Sequence, residues 1–390
     1  MWMRRTGSGD FQLKGGHFMD LSVCFMGLKL RNPIIIAAGP LTASGEMMRR
    51  AMEAGAGAVV TKTIVNEIRP NVRPRLVKQQ DGMQNIELYS EFTLEEWEEE
   101  IAYAKEYGAT VIASILAHTP SEMAYIARRV EKFGADAIEL GMSSPNGEGL
   151  EVLAADPAKL YELTSSATKR VNIPVMVKLS PNVTNMAKLA KAAEKAGASA
   201  ISAIDTVRSI IGVDIERGKA LLPTYGGYSG SPIRPIGLAA VATVSQAVNI
   251  PVCGIGGIGN YHHVIEYMML GASSVQLCTS IMLNGFAYIN KILEDLEQWM
   301  TARGYANFEQ VRGMALSSLK SFEEIKVEPY VIQAPVKCNN NSCNMCSSSC
   351  IYNAIKKEQN VMITDTNRCT GCGLCISACP NRILRLVWKE

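Results

Sequence analysis

Between residues 30 and 305 the chain repeats one hydrophobic pattern: an amphipathic helical stretch, a glycine, and a short apolar run rich in β-branched residues. A Gly-Ala pair marks five of these transitions, where a glycine ends a helix and an apolar run follows. The five glycines are Gly55, Gly108, Gly134, Gly197 and Gly271. The pattern predicts helices and strands in alternation.

Eight apolar runs follow from this pattern, five after the Gly-Ala pairs and three after Pro33, Pro174 and Pro251. The predicted strands are residues 34–38, 58–62, 111–115, 137–141, 175–179, 200–205, 252–254 and 274–278. Continuous apolar runs are typical of parallel strands buried on both faces. Eight such strands alternating with helices predict an α/β protein with a (β/α)8 TIM barrel, and a doubly wound open sheet is the alternative.

Polar residues stand where several predicted strands end, and the chemistry of such barrels lies on the loops that follow the strands. Lys62 and Lys178 end the second and fifth strands, and a lysine there needs an anionic or polar partner. The sequence S-S-P-N, residues 143–146, follows the fourth strand, and Asp205 and Thr206 follow the sixth. These side chains are expected at the barrel mouth.

A glycine-rich loop, residues 254–259, follows the seventh strand, and Cys278, Thr279 and Ser280 follow the eighth. In these barrels the loops after strands seven and eight commonly bind phosphate, because small residues expose backbone N–H groups. A glycine-rich loop alone is a weak signal, but its position here predicts a phosphorylated cofactor.

Eight cysteines near the C-terminus fall into two sets. The second set reads C-T-G-C-G-L-C-I-S-A-C-P, the spacing that binds a [4Fe–4S] cluster in bacterial ferredoxins, where the fourth cysteine ligates the other cluster. The first set repeats this spacing with a wider first gap, residues 339–342. The repeat predicts two clusters with crossed ligation, one held by Cys338, Cys343, Cys346 and Cys379 and one by Cys369, Cys372, Cys375 and Cys350.

Two other uses of these cysteines are weaker. Structural zinc favours two separated C-x2-C pairs. A disulfide scaffold needs an oxidising compartment, and no secretory signal precedes these cysteines. The remaining Cys24, Cys253 and Cys278 stand alone in apolar surroundings and are expected to be ordinary core residues.

Charge and composition exclude some kinds of partner, and the sequence pattern indicates where the domains lie. A net charge of +2 implies no nucleic-acid partner, and no apolar run reaches the roughly 18 residues that span a bilayer. Free thiols and labile clusters indicate the cytoplasm. We expect a disordered extension at 1–18, the barrel at 19–305, a helix and linker at 306–336, and an α+β ferredoxin-like domain at 337–390.

Over roughly residues 20–390 the chain resembles the dihydroorotate and dihydropyrimidine dehydrogenase family. Within it, because the chain carries a two-cluster ferredoxin-like module at its C-terminus, it most resembles the catalytic subunits of bacterial NAD-dependent dihydropyrimidine dehydrogenases. The segments that carry the resemblance are T-K-T (61–63), Q-N-I-E-L (84–88), S-S-P-N (143–146), V-K-L-S-P-N-V (177–183), T-Y-G-G-Y-S-G (224–230), I-R-P-I (233–236) and G-I-G-G (254–257). No dinucleotide-binding fingerprint is present, so the electrons are expected from a separate flavoprotein or ferredoxin-type subunit.

The resemblance implies an FMN across the barrel mouth, the cofactor that joins two-electron chemistry to one-electron clusters. Its ring and ribityl chain would contact Ala38, Lys62, Thr63, Asn85 and Lys178. Its phosphate end would lie against Gly230, Gly256, Gly257, Cys278 and Thr279. Lys178 would stabilise negative charge on the reduced ring, and the residue that handles the substrate proton at C5 would be Ser144.

Ser144 departs from part of the family, which places cysteine there. A serine hydroxyl is a poor acid or base unless a neighbour activates it. His118, after the third strand, is one hypothetical helper, although a solvated loop histidine is the stronger interpretation.

The resemblance assigns substrate contacts to Asn85, Gly141, Asn146, Asp205 and Thr206. Gly141 and Asp205 stand where the family has asparagine. Because an ionised aspartate only accepts hydrogen bonds, we expect a ligand with more N–H groups or positive charge near Asp205 and more bulk near Gly141.

The leading hypothesis is therefore an FMN- and iron–sulfur-dependent oxidoreductase that acts on the C–C bond of a pyrimidine-like cyclic amide. One alternative is a dihydroorotate dehydrogenase with an appended ferredoxin module. Another is an electron-transfer subunit with no substrate of its own. By analogy with the family, a homodimer is a further possibility.

Overall fold

The computed structural model describes residues 19–142, 154–326, 329–334, 337–340 and 342–388. The chain divides into two compact units, of which the first ends at Ser318 and the second begins at Leu319. The predicted extension at 1–18 lies outside the described residues. The predicted domain limits at 305 and 336 stay a prediction.

Eight parallel strands close into a barrel in the first unit. In chain order they are β3 (Ile34–Ile36), β4 (Ala58–Val60), β7 (Val111–Ile115), β8 (Ala137–Leu140), β9 (Val175–Leu179), β10 (Ala200–Ala203), β15 (Val252–Ile255) and β16 (Ala272–Leu277). β16 pairs with β3, with Gln276 beside Ile35, and this pairing closes the barrel. The predicted (β/α)8 barrel is confirmed, and each predicted strand overlaps an observed one.

Helices follow the barrel strands and cover the outside of the barrel. They are α1 (Gly45–Glu53), α2 (Leu94–Glu106), α3 (Pro120–Lys132), α4 (Pro157–Thr168), α5 (Met186–Lys195), α6 (Arg234–Ser245), α7 (Tyr261–Met269), α8 (Thr279–Asn284) and α9 (Tyr288–Arg303). Side chains of the preferred cap types begin several of them; Thr93, for example, accepts a hydrogen bond from the backbone N–H of Glu96 in a capping box. The five glycines of the Gly-Ala pairs have positive φ angles between 72° and 102°, as expected after a helix end.

An N-terminal hairpin packs its apolar side chains against the barrel interior. Its strands are β1 (Val23–Phe25) and β2 (Leu28–Leu30). Phe25 and Leu30 share a buried cluster with inward-facing residues such as Ile35 and Met176. The neighbouring residues Ile34 and Ile36 belong instead to the larger core with the helices, because successive side chains of a strand point to opposite faces.

A small antiparallel sheet is built from the segments that follow barrel strands β4 and β10. Its strands are β5 (Leu76–Gln79), β6 (Gly82–Asn85), β11 (Val207–Ser209) and β14 (Gly226–Gly230), in the order β11-β14-β6-β5. A short ribbon of β12 (Val213–Asp214) and β13 (Lys219–Ala220) lies between β11 and β14 in the chain. The sequence analysis did not predict this sheet, which sets the position of Asn85 opposite Gly227.

The segment after the barrel differs from the expected helix and linker. It contains 3-10 helices at Phe308–Gln310, Leu316–Ser318 and Phe322–Glu324 rather than an α-helix. Phe308 and Val311 are buried in the core of the barrel unit. Because these two side chains are apolar and buried with the barrel residues, residues 308–311 pack on the barrel.

The second unit has its own core and two short antiparallel sheets. The elements are β17 (Tyr330–Gln333) paired with β20 (Arg385–Trp388), β18 (Ile355–Glu358) paired with β19 (Val361–Thr364), and the helices α10 (Met345–Ser348) and α11 (Leu374–Ala378). Its buried cluster combines Ile332, Ile355 and Leu384 with several of the cysteines.

Among the described residues, no helix is both long and apolar enough to cross a bilayer. Cys253 is buried, as predicted for a core residue, but Cys24 is exposed. The core prediction for Cys24 was wrong because its position in β1 points away from the buried face that contains Phe25.

Candidate functional site

A cavity of about 510 Å³ opens at the ends of the barrel strands. All of the described residues assigned to FMN or substrate line it: Ala38, Lys62, Thr63, Asn85, Gly141, Lys178, Asp205, Thr206, Gly230, Gly256, Gly257, Cys278 and Thr279. Ser144 and Asn146 lie outside the described residues. The structure thus brings the described residues of this assignment together, as part of a larger set of residues that line the cavity.

Of the three described lysines that line the cavity, the two buried ones, Lys62 and Lys178, each have a carboxylate partner. Lys62 Nζ lies 2.6 Å from Glu87 Oε2, and Arg75 Nε lies 2.9 Å from Glu87 Oε1. Lys178 Nζ lies 3.8 Å from Asp205 Oδ1. Because a buried charge is costly unless it is paired, these carboxylates allow both lysines to lie in the barrel mouth.

The two lysines differ in their expected protonation. Burial lowers the pKa of Lys62, and the attraction of Glu87 opposes this shift only in part. Burial also disfavours the charged form of Lys178, but the carboxylates of Asp205 and Glu139 outweigh it, so the pKa of Lys178 lies above its ordinary value. Lys178 is therefore the more firmly cationic group of the site.

A polar cluster lies inside the barrel beneath the cavity, where the sequence analysis did not place one. Glu139 is fully buried on β8, and its Oε2 accepts hydrogen bonds from Ser202 Oγ at 2.8 Å and Gln276 Nε2 at 2.7 Å. Glu139 Oε1 and Gln276 Oε1 have no hydrogen-bond partner among the described residues. A glutamate and a glutamine inside apolar runs were the sequence signal for this cluster.

Two glycines that line the cavity allow backbone segments to approach closely. Gly257 has a φ of +67°, and a Cβ there would lie 2.8 Å from the backbone N of Arg234 and from Gly230 O. Gly230 has a φ of +95°, and a Cβ there would lie 2.5 Å from Asp81 O. Side chains would fill this cradle, so it suits a group that contacts backbone N–H groups, such as a phosphate.

Two predicted features look different in the structure. His118 is exposed beside the start of α3 and is not among the residues that line the cavity, which favours the solvated loop interpretation. Asp205, for which we expected a donor on the ligand, already has Lys178 as a nearby cation. A Cβ at Gly141 would meet Ser114 Oγ at 3.4 Å and Thr63 Cγ2 at 3.5 Å, which is ordinary contact.

Cysteines from both sets lie close together in the second unit, and the crossed ligation of two clusters stays a prediction. Cys338, Cys343, Cys346 and Cys379 together line one small cavity, so the last cysteine of the second set joins the first three of the first set. Cys375 lies within electrostatic range of Cys350 and Cys372, and Cys369 packs on the same core. None of the cysteines forms a disulfide within the described structure.

No three histidine, cysteine or acidic side chains of the described residues are grouped tightly enough for a single metal ion. Four thiolates around one zinc lie only about 3.8 Å apart, given a Zn–S distance of ~2.3 Å. The thiolates around a four-iron cluster lie farther apart than this. The small cavity that the four cysteines line is consistent with such a wider spacing.

Two known protein families match parts of this chain. Residues 20–300 match the family described as dihydroorotate dehydrogenase, and residues 362–385 match the 4Fe-4S binding domain. The chain belongs to the dihydroorotate dehydrogenase family. The barrel is thus related to flavoenzymes, and the family implies FMN. The paired lysines and the glycine cradle of the cavity fit this cofactor.

Individual relatives agree with the family. Dihydroorotate dehydrogenase B (NAD(+)), catalytic subunit, from Pyrococcus abyssi is 37% identical over 300 residues, which cover 76% of this chain and 99% of the relative. The same subunit from Thermoplasma volcanium is 37% identical over 301 residues, with 76% and 99% covered. These names support the wider family and not the narrower resemblance to dihydropyrimidine dehydrogenases.

A solved structure supports the fold. The crystal structure of DHODH in complex with ferulenol from Eimeria tenella aligns with a TM-score of 0.67 at 20% identity and covers 76% of this chain and 88% of that chain. At this identity the similarity concerns the barrel fold alone.

Proposed function

We propose that this chain is the catalytic subunit of an oxidoreductase of the dihydroorotate dehydrogenase type, which converts the C5–C6 bond of a dihydropyrimidine ring. The observation that carries the proposal is the set of family residues around one cavity, together with relatives whose whole length the chain covers. Bound FMN supplies hydride chemistry and one-electron exchange.

The residues of the chain have separable tasks in this proposal. Lys178, cationic and buried, stabilises negative charge near the ring as a preorganised group. Asn85 and Thr206 orient the substrate amide groups, and Gly141 leaves room for ring substituents. Gly230 and Gly257 hold the phosphate end by their backbone N–H groups. The proton at C5 is assigned to Ser144.

The second unit provides the path for electrons in this proposal. Two [4Fe–4S] clusters, held in the crossed arrangement by the eight cysteines, exchange electrons one at a time. The relatives are named catalytic subunits, which supports a separate electron-transfer subunit as the partner.

A second candidate substrate is a neutral dihydropyrimidine of the dihydrouracil type. The observation in its favour is that the two buried lysines of the cavity already pair with carboxylates, Lys62 with Glu87 and Lys178 with Asp205. A substrate carboxylate, such as that of dihydroorotate, would compete with these partners for the same cations.

The test is anaerobic bleaching of the bound flavin by each substrate. Protein purified without oxygen is mixed with dihydroorotate or with dihydrouracil, and the flavin absorbance is recorded. Bleaching by dihydroorotate supports the first candidate, and bleaching by dihydrouracil alone supports the second. If neither bleaches the flavin while dithionite reduces flavin and clusters reversibly, the chain is an electron-transfer subunit and the enzymatic proposal is wrong.

A further inference from the structure

The first cysteine set has an enlarged loop that the function above leaves unexplained. Two extra residues separate Cys338 from Cys343, compared with the second set. Within this loop, Asn340 Oδ1 accepts hydrogen bonds from the backbone N–H of Cys343 and from Ser342 Oγ, each at 3.1 Å. These hydrogen bonds hold Ser342 and Cys343 against the side chain of Asn340.

A lysine from outside the loop joins its two halves. Lys357 Nζ donates to Asn340 O and, at 3.0 Å, to Cys343 O. The backbone N–H of Cys338, at the start of the loop, donates to Asn360 O at 2.9 Å, in the turn of the same β18–β19 hairpin. The hairpin thus holds the enlarged loop at both ends.

Strand alternation directs Lys357 toward the cysteines. Its cross-strand partner is Met362, whose Sδ lies 3.8 Å from Cys346 Sγ and which lines the same cavity as the four cysteines. Lys356 is on the opposite face of the strand and is exposed. Lys357 therefore contacts the ligand loop, whereas the neighbouring Lys356 does not and can serve as a control.

The charge of Lys357 is not cancelled locally. Within the described structure, no carboxylate lies within 4 Å of its ammonium group, which contacts two carbonyl oxygens instead. Positive charge near an iron–sulfur cluster favours the reduced form, because reduction adds an electron to an anionic centre.

We propose that Lys357 is a positioning residue that closes the enlarged ligand loop and raises the reduction potential of the cluster held by Cys338, Cys343, Cys346 and Cys379. The inference rests on the two-cluster part of the proposed function and does not depend on the ring substrate. It assigns a higher potential to this cluster than it would have without the ammonium group of Lys357 beside its ligand loop.

The experiment is a potentiometric titration followed by electron paramagnetic resonance. Wild type, Lys357→Gln and Lys356→Gln are purified anaerobically as the full chain, and iron and sulfide are counted for each. In Lys357→Gln we expect the reduction potential of one of the two clusters to fall. The expected change in its reduction equilibrium constant is about tenfold, which corresponds to ~59 mV for a one-electron couple. The other transition stays in place, and Lys356→Gln leaves both unchanged.

A charge-preserving variant covers the case in which Lys357→Gln loses the cluster. If Lys357→Gln contains about half of the wild-type iron while Lys357→Arg keeps all of it, the loop-closing role is supported. Loss of iron from both variants would assign the effect to shape rather than charge and overturn the proposal.

Two other outcomes overturn the inference. In the first, both transitions of Lys357→Gln coincide with those of wild type at full iron content. In the second, wild type itself contains iron for only one cluster. The second outcome would also overturn the two-cluster part of the proposed function. Neither outcome affects the flavin-bleaching result, so failure here is distinguishable from failure of the proposed ring chemistry.

Discussion

At the scale of single residues, the site is defined by paired charges at the mouth of the barrel. Lys178 is surrounded by the carboxylates of Asp205 and Glu139 and by the thiols of Cys253 and Cys278. Burial raises the pKa of Cys278 to about 11 and that of Cys253 to about 12, so both thiols are uncharged at neutral pH. The two carboxylates therefore determine the charge state of Lys178.

Replacing Asp205 tests the substrate assignment. In Asp205→Asn the side chain gains a donor while it keeps an acceptor, so a neutral ring amide can pair with it. We expect kcat/KM for uracil to rise about tenfold, the equivalent of one additional hydrogen bond of ~1.4 kcal/mol. Steady-state kinetics with an artificial electron donor measure this change.

The matched control is Asp81→Asn, an exposed aspartate at the edge of the same cavity. It removes the same charge without altering the partner of Lys178. An unchanged ratio of uracil to orotate activity in Asp205→Asn would contradict the assignment.

Glu139 provides a pH-dependent prediction. Because its carboxylate raises the pKa of Lys178, Glu139→Gln lowers that pKa. The protonated lysine is present below its pKa and is lost as the pH rises through it. If FMN binding depends on this charge, the affinity for FMN should fall as the pH is raised. This fall should occur at a lower pH in Glu139→Gln than in the wild type. Flavin fluorescence titrations between pH 7 and 11 measure the dissociation constant.

Ser202→Ala is the control for Glu139→Gln, since it removes a hydrogen bond to the carboxylate and leaves the charge in place. The affinity of Ser202→Ala for FMN should fall at the same pH as that of the wild type. Identical pH dependence in Glu139→Gln and wild type would show that Glu139 acts only on packing.

At the scale of elements, loops rather than strands decide how the cavity is shaped. The glycine-rich turn after β15 approaches the backbone between β14 and α6 too closely for a side chain. The small sheet of β5, β6, β11 and β14 brings Asn85 to the cavity and places Glu87 two residues beyond it. Two distant chain segments are thus required for one side of the site.

Gly257→Ala tests the cradle. An alanine would adopt a left-handed backbone and meet Arg234 and Gly230 at 2.8 Å. We expect a loss of about 1–3 kcal/mol in the free energy of unfolding and a reduced FMN content. Thermal unfolding and the flavin-to-protein absorbance ratio measure both.

Gly259→Ala is the matched control two residues later. Its Cβ would first meet His263 Nδ1, at 3.7 Å, which is ordinary contact. This variant should retain FMN. If both variants bind FMN as wild type does, the cradle is not the phosphate site.

At the scale of the whole molecule, the proposed flavin site and the cysteines of the proposed clusters belong to units with separate cores. Loss of a cluster should therefore leave the barrel folded. We expect Cys379→Ser to eliminate the first cluster and Cys350→Ser the second, each with about half of the iron and with full FMN content. Iron, sulfide and flavin analyses, together with electron paramagnetic resonance, measure these losses.

The control for these variants is Cys24→Ser, which alters an exposed cysteine of the first unit. It should retain all iron. Crossed ligation would be wrong if Cys379→Ser removed the cluster whose signal also disappears in Cys369→Ser.

The predictability of the fold followed from local signals that repeat. Each barrel strand is a continuous apolar run next to a glycine or proline, so eight repeats indicated the barrel without knowledge of any contact. The small sheet over β5 and β14 was missed because its strands pair segments more than a hundred residues apart and are rich in glycine and polar residues. Apolar periodicity cannot report such pairing.

The residue types at the strand ends and the cysteine spacing were determined by the sequence alone, because both are local in the chain. Only the tertiary structure decided which charges meet: Lys62 with Glu87, Lys178 with Asp205, and Glu139 with Gln276. It also decided that Lys357 reaches the loop of Cys343. These pairs join different strands and loops, and their energies depend on distance and burial, which a linear sequence does not specify.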